Sequence, residues 1–264
     1  MQTTSYQALK ITPEIKSKFD DILVVEAPLQ ININNEPYTV VMRTPSNDVE
    51  LIRGLLFAED IYKKQHPLVY SIIDEKANGD SIINVTINKD DLGKGFLNKR
   101  TLLSVSSCGI CGKKELKDLS QTGDTISNDF KIQANDVLEM MQKMSDAQEH
   151  FKKSGGSHAA ALFDSDKTLL TIKEDIGRHN AVDKVVGDLL QKNTLNQTKY
   201  LVVSGRVSYE IVSKAFIAKI PIVIAVSACS SLAVDFAKEF GICLIGFTRN
   251  SNMTIYANPQ KFNS

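Results

Sequence analysis

Two cysteines stand three positions apart in "SSCGICGKK": Cys108 and Cys111, with Gly112, Lys113 and Lys114 behind them. That spacing brings both thiols to one point in space, which suits a metal, a disulfide or a sulfur atom in transit. A structural zinc site needs four ligands, and the remaining cysteines, Cys229 and Cys243, are distant and isolated. A deaminase-type zinc calls for H-x-E followed by P-C-x-x-C. Here Ser107 precedes Cys108, and none of His66, His150, His158 or His179 begins an H-x-E. A thioredoxin-like dithiol belongs near a strand-to-helix junction, whereas this pair precedes "GKKELKDLSQTG", which reads as a loop. The missing ligands favour sulfur or redox chemistry over metal. Thiolate fraction rises beside positive charge, which Lys113 and Lys114 could supply; Gly109 and Gly112 leave room for a bulky donor, and the second thiol can release or reorganise carried sulfur by thiol exchange.

A second chemistry is suggested further along. In an open α/β sheet, ligands bind outside the carboxyl ends of parallel strands. The loops expected there are "SGR" at 204–206, "SACSS" at 227–231 and "FTRN" at 247–250, with Arg206 and Arg249 among hydroxyls and small residues. That mixture suits a phosphate or another oxyanion, against the plainer reading that each arginine pairs with a carboxylate. In "EDIGRHNAVDKVVG", Arg178, His179 and Asn180 crowd a helix N-terminus, where an anion is favoured and where capping is the ordinary alternative. Val182, Val185, Val186, Leu189 and Leu190 form that helix's buried stripe. His179 with Asp183, and Asn180 with Lys184, are expected on its exposed face. His158, heading the apolar "HAAALF", reads as a structural histidine, and Cys229 and Cys243 as small core residues. There is no G-x-x-x-x-G-K-[ST] and no G-x-G-x-x-G, which disfavours a P-loop or an ordinary dinucleotide fold.

The elements that must position these groups follow from pattern. Residues 22–43 alternate around "NNEP", which predicts a hairpin turned at Asn34 to Pro37. Ser46 or Asn47 caps a short amphipathic helix, and strands are expected at 68–73 and 82–87. A single helix is expected over 134–153. Beyond it strand and helix alternate: 158–163, 169–174, helix 179–191, 200–204, helix 208–218, 222–227, helix 231–240 and 243–247. Such alternation means an α/β layer with several parallel strands. The units beginning at 201 and 222 look like two copies of one strand-loop-helix. The 264 residues, 42% hydrophobic, suffice for a substantial core, and 31 Lys+Arg against 31 Asp+Glu leave no global field to recruit nucleic acid or an anionic membrane. No segment reads as a signal peptide or a membrane span, and free thiols point to the cytoplasm.

Together, "MRTPSNDVELIRGLLFAED", "SSCGICG", "GGSHAAAL", "EDIGRHNAVDKVVG", "SGRVSYEIVSKA" and "SSLAVDFAKEFGICLIGFTR" resemble the FdhD family, the formate dehydrogenase accessory sulfurtransferases. The resemblance implies an α/β (α+β overall) chain whose three-layer C-terminal domain is cytidine deaminase-like but lacks the deaminase zinc. It implies a tail over 1–20, a β-rich region over 21–130 ending in the cysteine loop, and the α/β domain over 131–264. It also implies a homodimer that takes sulfur from a cysteine desulfurase. The sulfur passes to the molybdenum (or tungsten) bis-molybdopterin guanine dinucleotide cofactor, which formate dehydrogenase then uses. Cys108 matches the persulfide-bearing cysteine and Cys111 its partner. Phe247, Thr248, Arg249, Asn250, Ser251 and Asn252 fall where the family contacts the cofactor, with Arg178, His179, Asn180, Ser204 and Arg206 completing the pocket. Cys229 and Ser230 stand where the family has Pro and Thr. The alternative is a cofactor-binding chaperone that uses the cysteines only for docking.

Overall fold

The computed structural model describes residues 2–64, 66–97, 124–127, 131–249 and 252–263. It opens on β1 (Thr3–Ile11) and β2 (Lys16–Val24), antiparallel, with Thr3 opposite Val24. The expected tail over 1–20 is therefore a hairpin. Its turn is closed by the Thr12 amide donating to Ile15 O at 2.8 Å and the Ile15 amide donating to Thr12 Oγ1 at 3.0 Å. Both faces are largely exposed, Tyr6, Leu9, Ile11 and Phe19 included. With neither face buried, the strands carry no clean hydrophobic alternation to read.

Next come β3 (Ala27–Ile33), β4 (Glu36–Arg43), α1 (Asp48–Ala58), β5 (Val69–Glu75) and β6 (Ser81–Thr86). The β3–β4 turn falls where "NNEP" predicts it: Asn34 and Asn35 take φ of 52° and 68°, the left-handed pair that two-residue hairpin turns demand. The strands form one sheet in the order β4-β3-β6-β5, with β3 and β6 parallel. Leu29, Ile31 and Ile33 point from it into a core shared with Leu51, Ile52, Leu55 and Leu56 of α1.

The second half comprises β7 (Ile132–Gln133), α2 (Ala134–Ala147), α3 (Glu149–Ser154), β8 (His158–Phe163), β9 (Leu169–Asp175), α4 (Arg178–Gln191), β10 (Tyr200–Val203), α5 (Tyr209–Ile217), β11 (Ile222–Ala225), α6 (Ser231–Phe240), β12 (Cys243–Arg249), β13 (Asn252–Ala257) and β14 (Phe262–Asn263). Its six-stranded sheet runs β13-β12-β11-β10-β8-β9, with β10, β11 and β12 parallel. Alternate residues of one strand serve opposite faces. Leu201 and Val203 enter a core with α4, α5 and α6, while Tyr200 and Val202 enter another with Val137, Met140 and Met144 of α2. The result is three layers, helix, sheet and helix. No helix among the described residues is long and apolar enough to cross a membrane.

Two further expectations are corrected. The helix expected over 134–153 breaks at Gln148, because the buried Glu174 carboxylate accepts the amides of His150 and Phe151, each at 2.8 Å, and so starts α3 afresh. And α4 has no exposed polar face. His179, Asn180, Asp183 and Lys184 are all buried, because α1 covers that side.

Glycine makes the α1–α4 contact possible. A Cβ on Gly54 would lie 2.0 Å from Asp183 O, and one on Gly187 would lie 1.8 Å from Glu50 O. Gly54→Ala should force the helices apart and cost about 1–3 kcal/mol, read as a lower urea midpoint at unchanged slope. A wild-type midpoint would show that the crossing has slack.

Candidate functional site

A cavity of about 710 Å³ opens at the carboxyl ends of the parallel strands, bounded by Ser204, Val226, Thr248 and Arg249. Gln142 and Ser145 of α2 face it from the other layer, and His158 enters at the start of β8. The placement follows from topology, since β8 runs antiparallel to β10 and brings its N-terminal end to the edge where the parallel strands finish.

Local backbone features aim the lining. The β12–β13 register shifts between Gly246 and Arg249, and Phe247 takes φ of 52°. This bulge leaves the Phe247 ring exposed and buries Thr248, whose Oγ1 donates to Ala225 O at 2.8 Å. Arg249 then reaches the cavity, paired in the ladder with the exposed Asn252. Asn250 and Ser251 lie outside the described residues, as do Cys108 and Cys111. Ser204 extends the β8–β10 ladder: its Oγ accepts the Ala159 amide at 2.8 Å, and its own amide donates to Ala159 O at 3.0 Å. Arg206 is exposed next to it. Burial and the Arg178 guanidinium hold the His158 imidazole below its ordinary range, with Asp175 opposing and Arg206 adding to the depression. His158 is thus a neutral ring at neutral pH.

Arg178, His179 and Asn180 part company. Arg178 is half-buried, and its Nε is buried without a hydrogen-bond partner among the described residues. His179 Nε2 is 3.1 Å from Ser208 Oγ, and its Nδ1 is 3.4 Å from Glu210. Asn180 Nδ2 donates to Met42 O at 2.8 Å and to Asp175 Oδ1 at 2.9 Å. Asp175 is the hub: Oδ1 also accepts the Gly177 amide at 2.8 Å, and Oδ2 accepts the Thr44 amide at 3.1 Å and pairs with Lys184 Nζ at 2.7 Å. Lys184 donates as well to Thr44 O at 2.8 Å. His179 and Asn180 therefore fix the start of α4, Asn180 against the N-terminal half, and only Arg178 of the three stands beside the cavity's histidine.

Sequence reasoning passed over His158, reading it as structural. The available signal was the pair of glycines before it and its position at the mouth of an apolar strand. The Cys229 thiol is pushed up to about 11 by burial, and Cys243 is likewise raised to about 11. Both are protonated at neutral pH and unsuited to nucleophilic work.

Residues 24–263 match the model of the FdhD/NarQ family. The chain is 37% identical over 262 residues to the sulfur carrier protein FdhD of Sulfolobus acidocaldarius, covering 99% of each chain. It is 40% identical over 252 residues to the sulfur carrier protein FdhD of Mycobacterium bovis, covering 91% of each. Among solved structures, a Desulfotalea psychrophila protein provisionally described as a formate dehydrogenase accessory protein superposes with a TM-score of 0.78 over the whole of both chains, at 21% identity.

Proposed function

Since the chain belongs to the FdhD/NarQ family, we propose that it is a sulfur carrier and sulfurtransferase serving a formate dehydrogenase. Near-full-length similarity to proteins named sulfur carriers carries this reading. In it, the Cys108 thiolate attacks the outer sulfur of a cysteine desulfurase persulfide. The donor's S–S bond breaks, its thiolate leaves, and Cys108 becomes the persulfide with no net redox change. Attack by the Cys111 thiolate on the inner sulfur would expel hydrosulfide and leave a Cys108–Cys111 disulfide, which a thiol reductant resets. The sulfur goes to molybdenum bis-molybdopterin guanine dinucleotide, which is substrate here and not a resident cofactor.

The strand-end cavity supports a place for that substrate. Arg249 and Arg178 offer guanidinium groups to its phosphates, and Ser204 and Thr248 line the space where the guanosine would lie. The exposed apolar side chains of β1, β2 and β5 suit a homodimer, and the cytoplasm suits free thiols. The test is peptide mass spectrometry after incubation with a cysteine desulfurase and cysteine. Added sulfur on the 108–111 peptide, lost on reduction, supports the carrier. Its absence with a desulfurase active on another acceptor favours the cofactor chaperone. Arg249→Ala should weaken guanosine diphosphate binding by about ten- to a hundredfold, the worth of a charge-assisted hydrogen bond, measured by calorimetry. Undiminished binding would remove Arg249 from the site.

A further inference from the structure

His158 and His179 make an instructive pair. Both ring nitrogens of His179 are engaged, by Ser208 and Glu210. The His158 ring lies on the wall of the strand-end cavity with Thr248 and Arg249, and its nitrogens make no hydrogen bond with any described side chain or backbone group. Its seat is shaped for it. A Cβ on Gly205 would stand 3.1 Å from His158 Nδ1 and 3.4 Å from Arg178 Cβ, so the bare glycine lets the ring lie between the β10 loop and the first residue of α4.

The charged groups around the ring are mostly cationic. Arg178 comes from α4, Arg206 from the loop after β10 and Arg249 from β12, with Asp175 of β9 as the opposing carboxylate. Asp175 is committed to Lys184, Asn180 and backbone amides. Glu174, also on β9, is held by Ser157 Oγ at 2.6 Å and by the start of α3. The α2 residues that face the cavity, Gln142 and Ser145 among them, are uncharged. Burial first, and the Arg178 and Arg206 charges after it, keep the imidazole uncharged; an anion entering this space offsets those charges, and a ring with open nitrogens is the group able to respond.

We propose that His158 is a proton-linked ligand of the cavity: it donates a ring N–H to the phosphate-bearing part of the substrate and takes up a proton as that anion binds. This rests on the reading that the cavity holds nucleotide phosphates. The bond formed is N–H···O to a phosphate oxygen, the proton comes from solvent, and no electrons move. Such a residue makes affinity depend on pH and lets release follow deprotonation, whereas an arginine stays charged throughout.

The experiment is calorimetric titration of the full chain with guanosine diphosphate between pH 6.5 and 8, in pairs of buffers that differ in ionisation enthalpy. The wild type should take up a fraction of a proton, approaching one, per nucleotide bound, with affinity tightening by up to about tenfold per unit fall in pH. His158→Gln keeps an N–H donor but cannot titrate in this range. It should bind with the extra proton uptake gone and the pH slope reduced by the same amount. The nucleotide's own phosphate titration is common to both proteins and cancels. Equal uptake by wild type and variant overturns the proposal. Absence of any binding heat in the wild type instead overturns the cavity reading, and the proposal with it. A measurement on the unaltered protein guards against a variant that does not fold: of the four imidazole signals in its NMR spectrum at pH 7, one should move toward the imidazolium position when guanosine diphosphate is added. If none moves, the proposal fails.

Discussion

In the Cys108→Ser variant, the 108–111 peptide should gain no sulfur from a cysteine desulfurase and free cysteine, and formate dehydrogenase activation should fall by more than about 10³-fold, the scale on which removing a covalent nucleophile acts. The reason is the nucleophile. Sulfur attacks sulfur through the thiolate, a form that a cysteine side chain reaches near neutral pH and a serine hydroxyl does not. Guanosine diphosphate binding should be unchanged, because every group assigned to the cavity lies elsewhere in the sequence. Sulfur persisting on the peptide would reassign the carrier role to Cys111. Full activation without loaded sulfur would hand the function to the chaperone reading.

The largest stability effect is expected at Lys184→Met. Lys184 and Asp175 are both fully buried and 2.7 Å apart, so removing the ammonium strands a carboxylate in the interior. Breaking a buried pair from one side costs about 3–5 kcal/mol, comparable to a large fraction of a domain's total stability. Urea unfolding should show the loss as a lower midpoint. The double variant Asp175→Asn, Lys184→Met should recover part of it, because no charge is then left unpaired. A single-variant loss under about 1 kcal/mol would mean that water reaches the pair.

The strands and helices from residue 158 to 247 were legible because each buries a defined stripe, whereas β13 and β14 beyond them were not read from the sequence. α6 matches its expected span of 231–240, helped by Ser230, whose Oγ accepts the Ala233 amide at 3.2 Å, and by Gly241 in the left-handed conformation at its end. The strand-end cavity was legible for the same reason, since parallel order follows from alternation and the site follows from the order. What stayed hidden depended on contacts between distant residues. The polar residues of α4 look like a solvated face in sequence, and only the covering helix α1 and the Asp175 hub reveal that they are interior. The break at Gln148 comes from Glu174, a residue 24 positions beyond His150. His158 was passed over because its glycine-flanked place at the mouth of an apolar strand marks only where the strand begins, while the cavity around it is built by that strand's neighbours.

The two oxygens of Asp175 belong to different histories of the chain. One closes a turn with Gly177, two residues away; the other waits on Thr44, 131 residues back, and the lysine that completes the set is 140 residues from Thr44's carbonyl. During synthesis at about 5–20 residues per second, the strand ending in Arg43 and Thr44 is therefore out of the ribosome's active centre for roughly 7–30 s before its counterpart exists. Through that interval the glycine-notched face of α1 has nothing to close against. The newborn N-terminal half is for that time a natural client for a chaperone, and slower elongation between residues 44 and 184 would lengthen its exposure.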